Sequence, residues 1–268
     1  MARKLLPRVV AALVVAGVLG AVTWKFFWDP KPTYQPAANE AVSLITAEEL
    51  EAAAGTRVWF AHMSVGRNIL GGVRWLYAEA GVDAPNIVEV PAGEQTELPE
   101  GPVLAHTLIG DNGHPMRKLA SFDSMVRSGI GDEVDVIALK FCYLDVRWYS
   151  DVDEIFASYR ETMAALERDY PDVRFLHLTV PVTTGPYGIK DNIKVLIGRD
   201  DNEARGRFNE LLRRTYDQEQ VFDIALIEST RPDGTVTSEL TDGYSDDGSH
   251  LNETGSALAA VGFLHALV

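Results

Sequence analysis

The chain has 268 residues, a net charge of −15 and 46% hydrophobic residues, which suits one sizeable α/β domain with a well-buried core. The acidic balance argues against nucleic acid or an anionic membrane surface as the main partner, since both need a positive footprint. The only cysteine, Cys142, excludes an intramolecular disulfide and argues against a cysteine-based zinc site. Its apolar surroundings predict a small buried hydrophobe.

Residues 1–28 have the pattern of a signal anchor or a signal peptide. Basic residues within 1–8 precede the uncharged stretch 9–24, and an aromatic cluster typical of a membrane interface follows it. Leu5 to Trp28 is long enough to span a bilayer, which needs about 20 residues. Because no clear pair of small residues marks a cleavage site, an uncleaved anchor is favoured over a cleaved signal. The basic end then lies in the cytoplasm, and the body lies on the extracytoplasmic face, or is secreted if the signal is cleaved.

A Pro-rich stretch at 29–40 predicts a stiff tether, and the folded domain is predicted over 41–268. Thr46 and Glu49 have capping-box spacing and predict a short helix at Ala47–Ala54. The elements predicted after it alternate: a strand at Arg57–His62, a helix at Arg67–Ala80, a strand at Asn86–Pro91, a helix at Met116–Ser128, a strand at Val134–Val146, a helix at Val152–Tyr170, a strand at Val173–Val182, a helix at Asn202–Tyr216, a strand at Phe222–Ile227 and a helix at Glu253–Leu267. Loops are predicted at Ala92–Pro102, His106–Pro115 and Thr183–Arg199.

This alternation predicts a mostly parallel sheet with helices on both faces. The functional site of such a sheet lies at the carboxyl ends of its strands. Ser64 follows the first predicted strand, 110–113 and 143–145 lie near other strand ends, and the loop 245–252 follows the last strand. These candidates are therefore expected at one edge of the sheet.

Three polar residues form a candidate catalytic set. Asp247 precedes His250 by three residues, so a single turn can bring the carboxylate to the imidazole, fix its tautomer and leave the other ring nitrogen as a base. Ser64 opens the helix after the first strand, where unpaired N–H groups and the positive dipole end can stabilise an oxyanion. The alternative is that Ser64 only caps that helix.

A serine after the first strand and an Asp-x-x-His near the C-terminus resemble the SGNH (GDSL-type) hydrolase superfamily, over roughly Thr56 to Val268. The run Asp246–Gly255 is the most specific part, and Asn202-x-x-Arg205-x-x-Phe208-Asn209 is also similar to that family. The resemblance implies a three-layer, flavodoxin-like, doubly wound parallel sheet. It also implies Ser64 as nucleophile, His250 as base and Asp247 as its partner, in an esterase, lipase or carbohydrate O-deacetylase that needs no metal or cofactor.

The sequence departs from the family pattern around the oxyanion hole. The family's Gly-Asp-Ser is replaced by His62-Met63-Ser64, and His62 either lines the site or is a hydrogen-bonded residue at the strand end. The family's second donor is a backbone glycine, for which Gly110 or Gly113 could serve.

The family's third donor, an asparagine, is absent from the segment 140–143, which reads Lys-Phe-Cys-Tyr. Asn112, or Tyr143 through its hydroxyl, could replace it. Loss of one such donor costs on the order of 10²–10³ in rate. Lys140 in the same segment is expected either to reach solvent from the strand end or to be buried with a partner such as Asp145.

The favoured function is an extracytoplasmic serine esterase or deacylase that cleaves an acyl ester of O-acetyl type, with an envelope carbohydrate suggested by location alone. The alternatives are an acyltransferase to a sugar hydroxyl and a glycan-binding module that has lost the oxyanion hole. A metal-dependent hydrolase using Asp111, His114, Asp247 and His250 is disfavoured, because no short metal-binding spacing links them. The expected partners are an ester-bearing small molecule or carbohydrate and, through the N-terminal helix only, a membrane.

Overall fold

The computed structural model describes residues 39–93, 97–186 and 188–268. Its strands form one parallel six-stranded sheet in the order β2-β3-β1-β4-β5-β6. The strands are β1 (Arg57–His62), β2 (Asn86–Glu89), β3 (Val103–Leu108), β4 (Val136–Leu139), β5 (Arg174–Leu178) and β6 (Val221–Phe222). The chain starts in the middle of the sheet and builds outward on both sides of β1, so the predicted doubly wound parallel sheet is confirmed.

Helices cover both faces of this sheet. They are α1 (Asn39–Val42), α2 (Ala47–Ala54), α3 (Val65–Ala80), α4 (Pro115–Arg127), α5 (Val152–Asp169), α6 (Gly188–Leu196), α7 (Asp201–Thr215), α8 (Ile224–Ser229) and α9 (Glu253–His265). Side chains of β1 alternate between two hydrophobic cores: Val58 and Phe60 pack with α3 and α9, whereas Trp59 and Ala61 pack with α4, α5 and α7. The predicted three-layer arrangement follows from this alternation.

Local signals explain several element boundaries. The Thr46 side chain accepts a hydrogen bond from the Glu49 backbone, and the Glu49 carboxylate accepts one from the Thr46 backbone, so the predicted capping box is formed. The helices α3 and α9 pack closely, since a Cβ placed on Gly72 would lie 2.2 Å from the Ser256 carbonyl oxygen. Only glycine therefore allows this approach.

Strand β3 was not predicted from the sequence. It contains His106 and Thr107, whose polarity hides its strand character, yet both side chains are buried. The hydroxyl of Thr107 accepts a hydrogen bond from the Trp59 indole at 2.9 Å, and the His106 ring lies 3.2 Å from the ring of His62. Partners from β1 thus satisfy the polar groups that made this segment look like a loop.

Three other predicted elements differ from the structure. The strand predicted at Val134–Val146 is only β4, because the Asp145 carboxylate accepts the Cys142 N–H at 2.6 Å and turns the chain. Of the strand predicted at Phe222–Ile227, only Phe222 lies in a strand, β6, and Ile224–Ile227 belong to α8, which is capped by the Asp223 side chain. The loop predicted at Thr183–Arg199 contains α6.

The predicted anchor at Leu5–Trp28 and nearly all of the predicted tether lie outside the described residues. In the ranges that the structure does describe, no helix is both long enough and apolar enough to cross a membrane.

Candidate active site

Ser64 lies two residues after the end of β1 and directly before the first residue of α3. Its backbone has φ 20° and ψ −81°, and it is the only non-glycine residue of the described ranges with a positive φ. Such a conformation costs on the order of 1–3 kcal/mol. Ser64 occupies the N-cap position of α3, but its side chain makes no capping hydrogen bond. Its hydroxyl instead lies 3.8 Å from the thiol of Cys142.

The strand register brings Ser64, Gly110 and Cys142 to one level at the carboxyl edge of the sheet. His62 pairs with Leu108, and Ser64 and Gly110 each lie two residues further along. The register between β1 and β4 aligns Cys142 with Ser64 in the same way. Three loops therefore meet at the candidate nucleophile.

The backbone N–H groups of Ser64 and Gly110 both lie at this level. Neither the Ser64 N–H nor the Gly110 N–H has a hydrogen-bond partner in the described part of the chain. Gly110 has φ 61°, and a Cβ there would lie 2.7 Å from the Lys118 side chain, so the position needs glycine. These two N–H groups are candidate oxyanion donors.

Asp247 and His250 are in direct contact. The Nδ1 atom of His250 lies 2.7 Å from one carboxylate oxygen of Asp247, and the other oxygen accepts the backbone N–H groups of His250 and Ser249, each at 2.8 Å. Burial by itself would raise the pKa of Asp247, but the hydrogen bonds from His250 and Ser249 outweigh it and hold the pKa below its usual range. The carboxylate is therefore ionised at neutral pH and favours the tautomer that leaves His250 Nε2 unprotonated.

Tyr143 links the two halves of the site. It follows Cys142 in the chain, and its ring packs edge-on against the His250 ring with centroids 5.7 Å apart. No hydrogen bond joins Ser64 to His250 or to the Tyr143 hydroxyl within the described residues. Ser64 and His250 are thus connected indirectly: Ser64 contacts Cys142, and the next residue, Tyr143, contacts His250.

The loop at 110–113 is tied to the loop after β4 by buried groups. The Gly113 N–H donates to the Asp145 carboxylate at 2.7 Å, so this predicted oxyanion donor is already occupied. The Asn112 side-chain oxygen accepts a hydrogen bond from the Lys118 ammonium at 2.9 Å, and Lys118 also forms a fully buried ion pair with Asp145. Among the glycines proposed from sequence, Gly110 is the one with an unpaired N–H in the described structure.

His62 lies beneath the site and does not line its surface. It is fully buried, and its Nε2 lies 3.2 Å from His106 Nδ1. Desolvation by burial, with the nearby Lys140 charge, lowers the pKa of His62 to about 2, so the ring stays neutral. Of the two roles expected for His62, the structure therefore shows the hydrogen-bonded residue at the strand end.

Lys140 does not reach solvent, so that expectation is wrong. It is fully buried, and its ammonium donates to the Phe141 carbonyl at 3.2 Å. Burial lowers the pKa of Lys140 to about 8. The expected partner, Asp145, is instead paired with Lys118.

Glu228 on α8 is a buried acid that no sequence pattern singled out, since it lies just beyond the strand predicted at Phe222–Ile227. Its carboxylate accepts the Val182 N–H at 2.7 Å, and burial raises its pKa to about 8 despite the opposing charge of Lys140. No local sequence pattern marks Lys118 or Glu228 as residues near the site. Asn202, Arg205 and Asn209, in contrast, are spaced so that three polar residues lie on one face of a helix.

Within the described part of the chain, two of the clefts lie beside the loops that carry Gly113 and Asp247. The larger has a volume of about 450 Å³ and reaches Asp247 and Gly248. Its other walls are polar or charged for the most part and come from Thr183–Pro186, Lys194, Val195, Arg199–Asn202 and Glu239. The smaller, of about 210 Å³, lies beside Gly113, Met116 and Tyr149. In the part of the chain that the structure describes, no three His, Cys, Asp or Glu side chains are grouped to hold a metal ion.

Comparisons with known proteins give likenesses of structure only. No family model and no curated protein matches the sequence. A protein from Streptococcus pneumonia, provisionally described as a platelet activating factor, is 17% identical with a TM-score of 0.44, covering 76% of this chain and 93% of its own.

Two further solved structures are similar to the chain. A protein from Desulfitobacterium hafniense DCB-2, provisionally described as lipolytic and of the G-D-S-L family, is 9% identical with a TM-score of 0.39, covering 68% of this chain and 98% of its own. The periplasmic domain of a lipopolysaccharide acetyltransferase from Salmonella ser. Paratyphi A is 11% identical with a TM-score of 0.40, covering 84% and 87%. The protein from Desulfitobacterium hafniense is described as belonging to the G-D-S-L group, which the sequence resembles.

Proposed function

We propose that this protein is a serine esterase or deacylase in which Ser64 is the nucleophile, His250 the general base and Asp247 the residue that orients His250. The proposal rests on the backbone conformation and the surroundings of Ser64. Its hydroxyl does not cap the helix, its backbone is held at positive φ, and it lies at the sheet edge beside two unpaired N–H groups. The Asp247–His250 pair supplies the base that such a serine needs.

The proposed reaction is a two-step acyl transfer. Ser64 Oγ attacks the ester carbonyl while its proton passes to His250 Nε2, and the oxyanion accepts hydrogen bonds from the N–H groups of Ser64 and Gly110. Collapse of this intermediate expels the alcohol, which takes the proton from His250 and leaves an acyl group on Ser64. Water, deprotonated by His250, then releases the acid and restores the hydroxyl.

The third oxyanion donor is the unusual part of the proposed site. Cys142 faces Ser64, but its N–H is bound to Asp145 at 2.6 Å and a thiol is only a weak donor. With two good donors instead of three, the rate is expected to be lower on the order of 10²–10³ than with a full set.

The larger cleft supports a polar alcohol component in the substrate. Hydroxyl and charged side chains around a volume of about 450 Å³ suit a hydrogen-bonding group such as a sugar better than an alkyl chain. We therefore propose an acyl ester of O-acetyl type on a carbohydrate. The N-terminal segment adds the proposal that the domain works on the outer side of a membrane.

Covalent labelling with a fluorophosphonate, together with turnover of p-nitrophenyl acetate, tests the serine mechanism. Wild-type protein is expected to label once and to lose activity on labelling, whereas Ser64→Ala should not label and should be at least about 10³-fold slower. Equal labelling of the two proteins would show the mechanism to be wrong. If acyl groups appear on an added sugar rather than in water, the enzyme is a transferase. Retained glycan binding without turnover would identify a binding module.

A further inference from the structure

Arg205, on α7, is a buried cation close to the proposed site. Its side chain is 2% exposed. Its Nε donates to the carbonyl oxygens of Tyr143 at 2.9 Å and Val146 at 3.3 Å. Its Nη1 donates to the Thr183 hydroxyl at 2.9 Å and to the Asn202 side-chain oxygen at 2.7 Å. One guanidinium therefore joins the loop after β4 to the loop after β5.

Each of these loops contacts the Asp247–His250 segment from a different side. In the first loop, the Tyr143 ring packs against His250, and the Arg205 guanidinium carbon lies 5.7 Å from the centroid of that same ring. In the second, the Thr184 N–H donates to the Gly248 carbonyl at 2.9 Å. A Cβ on Gly248 would lie 2.7 Å from the Thr184 hydroxyl, so this contact is close. Arg205 is thus the link between the two supports of the acid–base pair.

The fold of the second loop has other supports. The Asn202 side chain donates to the Thr183 carbonyl at 2.7 Å and accepts the Thr183 N–H at 3.0 Å. Asn209 makes the equivalent pair of bonds with Val180, at 2.9 Å and 2.7 Å. These amides hold the loop on α7 without Arg205, so what Arg205 adds is the connection between loops.

A buried cation at this position is costly. Burial is the main cause that lowers the pKa of Arg205, and the nearest carboxylate, Asp201, lies 3.8 Å away. An apolar side chain of similar size is often as stabilising as a buried charge. Arginine differs from lysine in presenting donors in several fixed directions, which this two-loop arrangement uses.

We infer that Arg205 is a positioning residue that sets the placement of the Tyr143 and Gly248 supports around His250. This inference rests on the proposed function, since it assigns Arg205 a role in orienting the proposed base. Arg205 acts through these neighbours and not on the substrate.

The test compares Arg205→Met and Arg205→Lys with Arg207→Met. Arg207 lies two residues along the same helix, is exposed and pairs with Asp153 on the surface. Rates are measured per active site titrated with fluorophosphonate, so that misfolded protein is not counted. Arg205→Met is expected to lower kcat about 10- to 100-fold with KM changed less than about threefold, because a displacement near 1 Å can cost about 10² in rate. Arg205→Lys should lower kcat less, and Arg207→Met should match wild type.

A second measurement uses the ¹H and ¹⁵N NMR signals of the His250 ring in the uninhibited proteins. These signals should shift in Arg205→Lys and Arg205→Met and stay unchanged in Arg207→Met. A wild-type kcat per titrated site with unchanged ring signals in Arg205→Lys would overturn the inference, whatever the thermal stability, and this variant decides if Arg205→Met does not fold. If wild type proves not to be labelled, the proposed function fails, and the ring signals alone still decide whether Arg205 positions His250.

Discussion

Gly66→Ala should displace the candidate nucleophile, Ser64, because the added methyl group would collide with the buried His62 ring. Gly66 lies in the first turn of α3, two residues after Ser64. A Cβ at Gly66 would lie 2.3 Å from both Cγ and Nδ1 of the His62 ring. That ring has little room to move, since it is fully buried, hydrogen-bonded to His106 at 3.2 Å and packed against Phe60 with ring centroids 4.7 Å apart.

The size of the effects on stability and activity follows from the steric overlap between the added Cβ and the His62 ring. Ordinary contacts of a Cβ begin near 3.4 Å, so the ring or the first turn of α3 must move by about 1 Å. Overpacking of a core costs about 1–3 kcal/mol of unfolding free energy. The same displacement at Ser64 is expected to lower kcat/KM by about 10²-fold, because the nucleophile leaves its aligned position.

Urea unfolding and p-nitrophenyl acetate kinetics measure both effects, and Gly71→Ala is the matched control. Gly71 lies in the same helix, and a Cβ there would meet nothing within 4 Å. This control should gain about 0.5–1 kcal/mol from helix propensity and keep its activity. If Gly66→Ala is as stable and as active as wild type, the contact with His62 does not hold Ser64, and the reasoning fails.

Three further substitutions test the roles of Asp247, Cys142 and Glu228. Asp247→Asn should lower kcat on the order of 10⁴-fold with the fold retained, and a change below tenfold in steady-state kinetics would exclude a role in orienting His250. Cys142→Asn places an amide donor opposite Ser64 and should raise kcat by at least about tenfold, while overpacking costs about 1–3 kcal/mol; a slower enzyme that is folded would count against a missing donor. Glu228→Gln should remove a pH dependence of stability. The pKa of Glu228 is about 8 in the folded protein against an ordinary value of 4.5, so the folded state keeps a proton that the unfolded state releases, and wild-type stability falls as pH rises from about 4.5 towards 8. Melting temperatures across this range should fall less steeply for the variant, and parallel curves would show that Glu228 is not the cause.

Local patterns in the sequence were enough for most of the architecture. The capping box at Thr46 and Glu49 needs only neighbouring residues, and it is formed as predicted. The apolar periodicity of α5 and the continuous apolar run around β4 likewise report burial of that segment alone. The Asp247–His250 contact spans three residues, so its spacing was readable before the fold was known. The parallel sheet then followed from the order of the elements.

The tertiary structure alone decided what surrounds Ser64. β3 looked like a loop until Trp59 and His62 supplied partners for its polar side chains. The pairing of Lys118 with Asp145 and the reach of Arg205 across two loops join residues far apart in the chain, and no local spacing encodes them. The physical reason is that a buried polar group is specified by partners from other elements, whereas periodicity reports only which side of its own element is buried.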